Sequence, residues 1–147
     1  MDSKATVQAL MDSIQKGDFE KAKSFLSDDF QFSGPVPNPI GREAWLGMSA
    51  NLKTAFPDLD YQFHVDDADG DVVKLSAQLK GLHSGDLDLT SLNMGVIPAT
   101  HKSFANPHEH GTATVKGDKV VSWAVEPIEG GGVMGILGQI GVKPPTM

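Results

Sequence analysis

Histidine spacing is the first sign of chemistry in this chain of 147 residues. His108 and His110 are two apart on a stretch that alternates apolar and polar residues, so on a strand both side chains point to one face. His101 is near them in sequence. Three imidazoles are a donor set for zinc. No carboxylate follows at the spacing of a metal-binding strand, however, so no metal or other cofactor is expected. Two readings of the pair remain: an exposed or interface pair, or one imidazole facing a pocket as acid and base. Imidazole titrates near neutrality and can both take and give a proton there. His83 shares the parity of Val73, Leu75, Ala77 and Leu79, which puts it on the apolar side of a strand. It either closes a strand end at a pocket mouth or touches a ligand. Trp45, Trp123, Tyr61 and Phe32, with Phe30, can line a pocket for a flat or apolar molecule, or simply form core.

Those residues must be held by two kinds of element. Val7, Leu10, Met11 and Ile14 recur at helical spacing, with Asp2 or Ser3 as N-cap and Gly17 as the stop. Asp18 caps a short second helix with Phe19, Ala22, Phe25 and Leu26 on one face, broken at Asp28-Asp29. Phe30 and Phe32 flank Gln31 as in a short strand. Pro35, Pro37 and Pro39 rule out regular structure between them. A third helix, about Arg42 to Phe56, carries Trp45, Met48 and Leu52 on one face and ends at Pro57. The remainder reads as antiparallel strands. Leu59, Tyr61, Phe63 and Val65 alternate, and a turn at residues 67–71 leads into the return strand. Residues 86–100 form an excursion. A strand from about His101 to Val115 is interrupted at Pro107, and Gly117-Asp118 turns the chain into Val120–Pro127. Gly130-Gly131-Gly132 is a joint before a short apolar helix, Val133 to Ile140. Helices first and a meander of strands after predict a single α+β domain spanning 1–147. A twisted sheet under helices curls into a cone, and such cavities take small ligands.

Composition narrows the partners. The net charge is -7, with no lysine or arginine cluster, so a nucleic-acid surface is not expected. No apolar run reaches the ~20 residues needed to span a bilayer, and the first residues lack the pattern of a signal peptide. A cytoplasmic protein with no membrane partner is expected. There are no cysteines, hence no thiol nucleophile or disulfide. No phosphate-cradling glycine motif and no Gly-x-Ser-x-Gly elbow occur.

Several short landmarks occur in order: Phe56-Pro57-Asp58-Leu59, Gly81-Leu82-His83-Ser84-Gly85, Gly117-Asp118-Lys119-Val120-Val121-Ser122-Trp123 and Gly135-Ile136-Leu137-Gly138-Gln139-Ile140-Gly141. Together they resemble the SnoaL-like polyketide cyclases of the NTF2-like, ketosteroid-isomerase-like superfamily. The resemblance covers nearly the whole chain. It implies an NTF2-like cone, with N-terminal helices packed against a curved, mainly antiparallel sheet around a pocket, and a homodimer. It also implies a histidine on the penultimate strand, here His108 or His110, assisting a carboxylate on the last. That carboxylate is matched by Glu126 in Trp123-Ala124-Val125-Glu126-Pro127, a glutamate where the family has aspartate. Glu126 would remove a proton alpha to a carbonyl. Its parity opposes that of Val121, Trp123 and Val125 unless the strand bulges, the alternatives being an exposed or interface residue, or Glu129 in its place. Leu82 stands where the family carries threonine. The implied activity is cofactor-independent isomerisation or aldol cyclisation of a small apolar or aromatic carbonyl compound. His83, Trp45, Trp123, Tyr61 and Phe32 would shape its pocket. The other reading is a binding protein without catalysis.

Overall fold

Helix α1 (Ser3–Lys16) forms where the apolar spacing places it, and Val7, Leu10, Met11 and Ile14 are all buried. Asp2 caps it by accepting a hydrogen bond from the Ala5 N–H at 2.7 Å. At the other end Gly17 takes a left-handed φ of 78°. Its N–H donates to the Ile14 carbonyl and that of Asp18 to Ser13, which closes the last turn. The computed structural model describes residues 2–34, 39–90, 95–126 and 128–141. Residues 35–38 of the proline-rich stretch, 91–94 of the expected excursion, and Pro127 therefore lie outside the described residues.

Helix α2 (Phe19–Ser24) is shorter than its apolar pattern suggests. Leu26 does not belong to it but opens strand β1 (Leu26–Ser33). Asp28 and Asp29 lie inside that strand rather than breaking a helix. Only one face of β1 is buried, through Leu26, Phe30 and Phe32, so acidic residues are tolerated on the wet face. Asp28 pairs there with the Arg42 guanidinium at 3.0 Å. Strand β2 (Ile40–Gly41) leads into α3 (Arg42–Ala55), which buries Trp45, Leu46, Ser49, Leu52 and Ala55.

Next come β3 (His64–Asp69) and β4 (Val72–Ala77); the turn expected at residues 67–71 is confined to Gly70-Asp71, because Asp67, Ala68 and Asp69 pair as strand with Lys74, Val73 and Val72. The alternating run from Leu59 is not strand until His64, because Gln62 adopts a φ of +48° and interrupts it. β5 (Lys80–Leu82) and β8 (Ser103–Ala105) form a separate two-stranded sheet, and β6 (Leu87–Asp88) pairs with β7 (Val96–Ile97) in the excursion between them. Pro107 separates β8 from β9 (Glu109–Lys116), which turns into β10 (Lys119–Val125); α4 (Gly132–Gln139) follows.

The main sheet has the order β2-β1-β10-β9-β4-β3. All its pairs are antiparallel except β1 with β10. A register shift between Val120 and Ser122 sets the face of β10, so Val120 is buried with Trp123, where simple alternation puts Val121 inside. The sheet is open and curved under the helices, as an α+β cone requires. Its inner face meets α3 through aromatic rings. Trp45 lies 5.1 Å from Phe30, 5.5 Å from Phe32 and 5.4 Å from Trp123 between ring centroids. Each such pair adds about 0.5–1.5 kcal/mol to the burial of its area.

The Gly81-x-His83-x-Gly85 landmark has a structural reason. The N–H groups of Ser84 and Gly85 both donate to the carbonyl of Ala55, the last residue of α3, at 3.1 and 3.0 Å. The chain passes so close that a Cβ on Gly85 would lie 2.3 Å from the Thr54 carbonyl oxygen. Gly47, on the outside of α3, has nothing within 4 Å of a built Cβ. Gly85→Ala is therefore expected to destabilise the fold by about 1–3 kcal/mol. Gly47→Ala is expected to stabilise it by about 0.5–1 kcal/mol. Urea unfolding midpoints with unchanged slopes check both.

Candidate functional site

Between α3 and the inner face of the sheet lies a cavity of about 100 Å³. α1 contributes Ile14, and α3 contributes Trp45, Met48, Ser49 and Leu52. Phe32 comes from β1, Leu75 and Ala77 from β4, Glu109 from β9, and Trp123 and Val125 from β10. Tyr61 and Phe63 enter from the segment before β3, Leu79 from the link after β4, and Ile136 from α4. The wall is thus aromatic and aliphatic, with very few polar groups.

Glu109 is the one charged side chain lining this cavity among the described residues, and the residue is only 6% exposed. It faces inward because β9 alternates: Glu109, Gly111, Ala113 and Val115 share the buried face. Its carboxylate reaches the start of α4, where a Cβ on Gly131 would sit 2.9 Å from Oε1. The absence of a side chain at Gly131 leaves room for it, and the N-terminal end of a helix favours negative charge.

Tyr61 supplies a hydroxyl. It is buried, its ring stacks on Phe63 at 4.7 Å and 7°, and its hydroxyl has no hydrogen-bond partner among the described residues. Ser49 lies nearby but donates its own proton to the Trp45 carbonyl at 3.0 Å. Burial pushes the Tyr61 phenol up to about 12, an effect that Ser49 offsets in part. The phenol is thus a proton donor, not an anion, across the ordinary pH range.

Trp45, Trp123, Tyr61 and Phe32 all line the cavity. The structure does not bring Glu126, His108 and His110 to it. All three are exposed. His110 follows Glu109 on β9 and so points to the opposite face, 3.9 Å from Asp66, which also lies 3.7 Å from His64. Glu126 falls on the same outer side, where its backbone N–H donates to the His110 carbonyl at 2.8 Å. No bulge follows Trp123 to bring Glu126 inward. Glu129 is exposed as well. The expected carboxylate–histidine pair therefore has to be corrected, because the pleat that turns Trp123 and Val125 inward turns Glu126 outward. The residue that sequence reasoning missed is Glu109, between the two histidines. Its signal was its parity with Ala113 and Val115.

His83 needs a second correction. It is 0% exposed, yet it lies behind the end of α3 and does not line the cavity. The alternation of β4 does not reach it, because β5 leaves the main sheet to pair with β8. Its ring packs 5.2 Å from Phe56. Nδ1 accepts from the Thr100 N–H at 3.1 Å, so the ring proton belongs on Nε2, which has no partner among the described residues. Leu82 beside it is 39% exposed. Among the described residues no group of three or more His, Asp and Glu side chains is placed to hold a metal ion, and no helix is long and apolar enough to cross a membrane.

The helix-backed cone is a fold that known proteins share. The model of the SnoaL-like polyketide cyclases matches residues 4–126. The chain belongs to the SnoaL-like polyketide cyclase family. Solved structures give the same fold. IdmH of Streptomyces antibioticus, a candidate polyketide cyclase, superposes with a TM-score of 0.72 at 22% identity, covering 97% of this chain and 100% of that one. A candidate SnoaL-like cyclase of Jannaschia sp. CCS1 gives 0.71 at 19% identity over 97% and 93%. AclR of Streptomyces galilaeus, a candidate hydroxylase, gives 0.71 at 20% identity over 99% and 84%. At these identities the likeness is one of fold. No curated protein matches the sequence.

In this SnoaL-like chain the buried histidine makes stability depend on pH. Burial lowers the His83 pKa from its ordinary 6.5, partly offset by the nearby Asp86 carboxylate. The unfolded chain takes up the proton as pH falls through 6.5, while the folded one resists it. The contribution is therefore complete above 6.5 and is lost as pH falls from there towards the lowered folded value. Urea unfolding between about pH 7 and 5 should show a steeper loss of stability in the parent than in His83→Asn, which keeps an acceptor for Thr100 but does not titrate.

Proposed function

We propose that the cavity binds a small apolar or aromatic carbonyl compound and catalyses cofactor-independent proton transfer, as an isomerisation or an intramolecular aldol cyclisation. Glu109 is the general base, and the Tyr61 hydroxyl is the hydrogen-bond donor to the enolate oxygen. The observation that carries this reading is that a carboxylate, Glu109, and a phenol without a hydrogen-bond partner among the described residues, Tyr61, line one nearly apolar cavity. In such surroundings a donor aimed at developing charge acts far more strongly than in water.

Glu109 takes the proton alpha to the carbonyl and becomes a carboxylic acid. The electron pair moves onto the carbonyl oxygen, where Tyr61 stabilises the oxyanion without giving up its proton. In isomerisation Glu109 returns the proton to a different carbon. In cyclisation the enolate carbon attacks a second carbonyl of the same molecule, and the proton goes to the new alkoxide. Family membership supports this class of reaction, since cyclisation of a polyketide passes through an enolate.

The space is tight. A cavity of about 150 Å³ holds benzene, and the one here is about 100 Å³. Binding of anything larger requires the wall to move. Met48 is a flexible side chain able to repack, and Ile136 sits on α4 beyond Gly130 and Gly131. The nearly apolar lining also fits a second reading, a carrier that binds without turnover.

Proton exchange alpha to the carbonyl of aromatic and bicyclic ketones, followed by NMR in D₂O, separates the two. The parent protein is expected to catalyse exchange. Glu109→Gln should slow it by about 10²–10⁴-fold while ligand binding, read from Trp45 and Trp123 fluorescence, persists. Tyr61→Phe should slow it by about 10²–10³-fold. Binding without exchange in the parent protein means a carrier, and exchange indifferent to Glu109→Gln means a different base.

A further inference from the structure

The segment that brings Tyr61 into the cavity belongs to no regular strand. Its backbone groups must nevertheless find partners, because a buried N–H or carbonyl left alone is costly. On one side they do so conventionally: the Gln78 N–H donates to the Tyr61 carbonyl at 2.9 Å, and Asp60 and Lys80 exchange backbone hydrogen bonds. On the other side there is no strand among the described residues. A single side chain on α1 takes that place. The Gln15 amide donates through Nε2 to the Leu59 carbonyl at 2.9 Å and accepts through Oε1 from the Tyr61 N–H at 2.8 Å. One primary amide thus acts as the peptide group of a missing neighbouring strand. It bridges a donor and an acceptor two residues apart, 44 and 46 positions away in sequence.

We infer that Gln15 is a positioning residue that fixes the Tyr61 phenol in the cavity. The inference rests on the proposed role of Tyr61 for its catalytic consequence, and on geometry for the placement itself. Gln62, the next residue, is held at a φ of +48°, which an isolated segment would not keep. That turn lets Tyr61 and Phe63 stack on the same side, 4.7 Å apart. Ile14, beside Gln15, is itself part of the cavity wall, so α1 supplies both wall and clamp. Glutamine is the residue that fits: it offers one donor and one acceptor at the end of a flexible stem. Glutamate offers acceptors only, and Met offers neither.

The chain has a single tyrosine. A ¹³C-labelled tyrosine ring therefore reports this phenol directly, with no activity needed. The charged group that shares its cavity is Glu109. In the full-length parent the phenol should resist ionisation up to about 12. In Gln15→Met, which conserves volume and removes both hydrogen bonds, its midpoint should fall towards the ordinary 10 while circular dichroism shows the fold intact. Gln15→Glu, which keeps the acceptor for Tyr61, should fall less. A midpoint unchanged in folded Gln15→Met overturns the inference. Should that variant not fold, an unchanged midpoint in Gln15→Glu does so. Proton-exchange kinetics add the functional arm. Gln15→Met should lower kcat by about 10-fold with KM little changed, and should have no further effect in a Tyr61→Phe background. A shifted phenol midpoint with kinetics indifferent to Tyr61→Phe leaves the placement standing and removes the proposed function.

Discussion

The contact on which the rest of the structure depends is the seating of Trp45 against the inner face of the sheet. Its ring touches Phe30 and Phe32 from β1 and Trp123 from β10. Those two strands are neighbours, so one side chain of α3 ties the helix to the seam of the sheet. The same ring walls the cavity. Core and site therefore share atoms here, and the space left open beside Trp45 is packing forgone. An unfilled volume costs stability in proportion to its size, which explains why it is small and why its lining is otherwise dense with rings.

A second consequence of that dry lining is how few polar groups remain inside. The sheet sorts titratable side chains by parity. On β9, Glu109 goes in and His110 goes out; on β10, Trp123 and Val125 go in, and Glu126 just after the strand goes out. The outer face gathers His64 and His110 around Asp66, in reach of water. The inner face keeps a carboxylate at the start of α4 and the phenol of Tyr61, whose backbone N–H is bonded to Gln15 of α1. Polar groups set in so dry a lining act on a ligand with stronger fields than they would in water.

The helices were legible because their signals are local. The spacing of Val7, Leu10, Met11 and Ile14, the Asp2 cap and the Gly17 stop all act within one turn of where they are written. The turns at Gly70-Asp71 and Gly117-Asp118 were legible for the same reason. The α+β cone followed from their order and from the family landmarks. What was not legible depended on partners far away. Leu26 reads as helix until β10 offers it a strand to pair with. Val120 replaces Val121 in the core because of a register shift that only the pairing with β9 defines. His83 leaves the cavity because β5 changes sheets. The candidate base was sought at Glu126 on the last strand, while the parity of Ala113 and Val115 singled out Glu109 one strand earlier.

The parallel pairing of β1 with β10 has a bearing on how the chain acquires this shape. Leu26 aligns with Val120, and Phe32 with Trp123, so the first strand finds its neighbour only after the whole of β10 has been made. Until then β1 exposes an open edge and the buried-face rings Phe30 and Phe32 to the ribosome's surroundings. The β3–β4 hairpin can close early, but the centre of the sheet must wait for the C-terminal β9–β10 hairpin to emerge. Such long sequence separations slow folding and lengthen the life of aggregation-prone intermediates. Asp28 and Asp29, which looked like helix breakers, put charge on that waiting strand and discourage edge-to-edge association while it is unpaired.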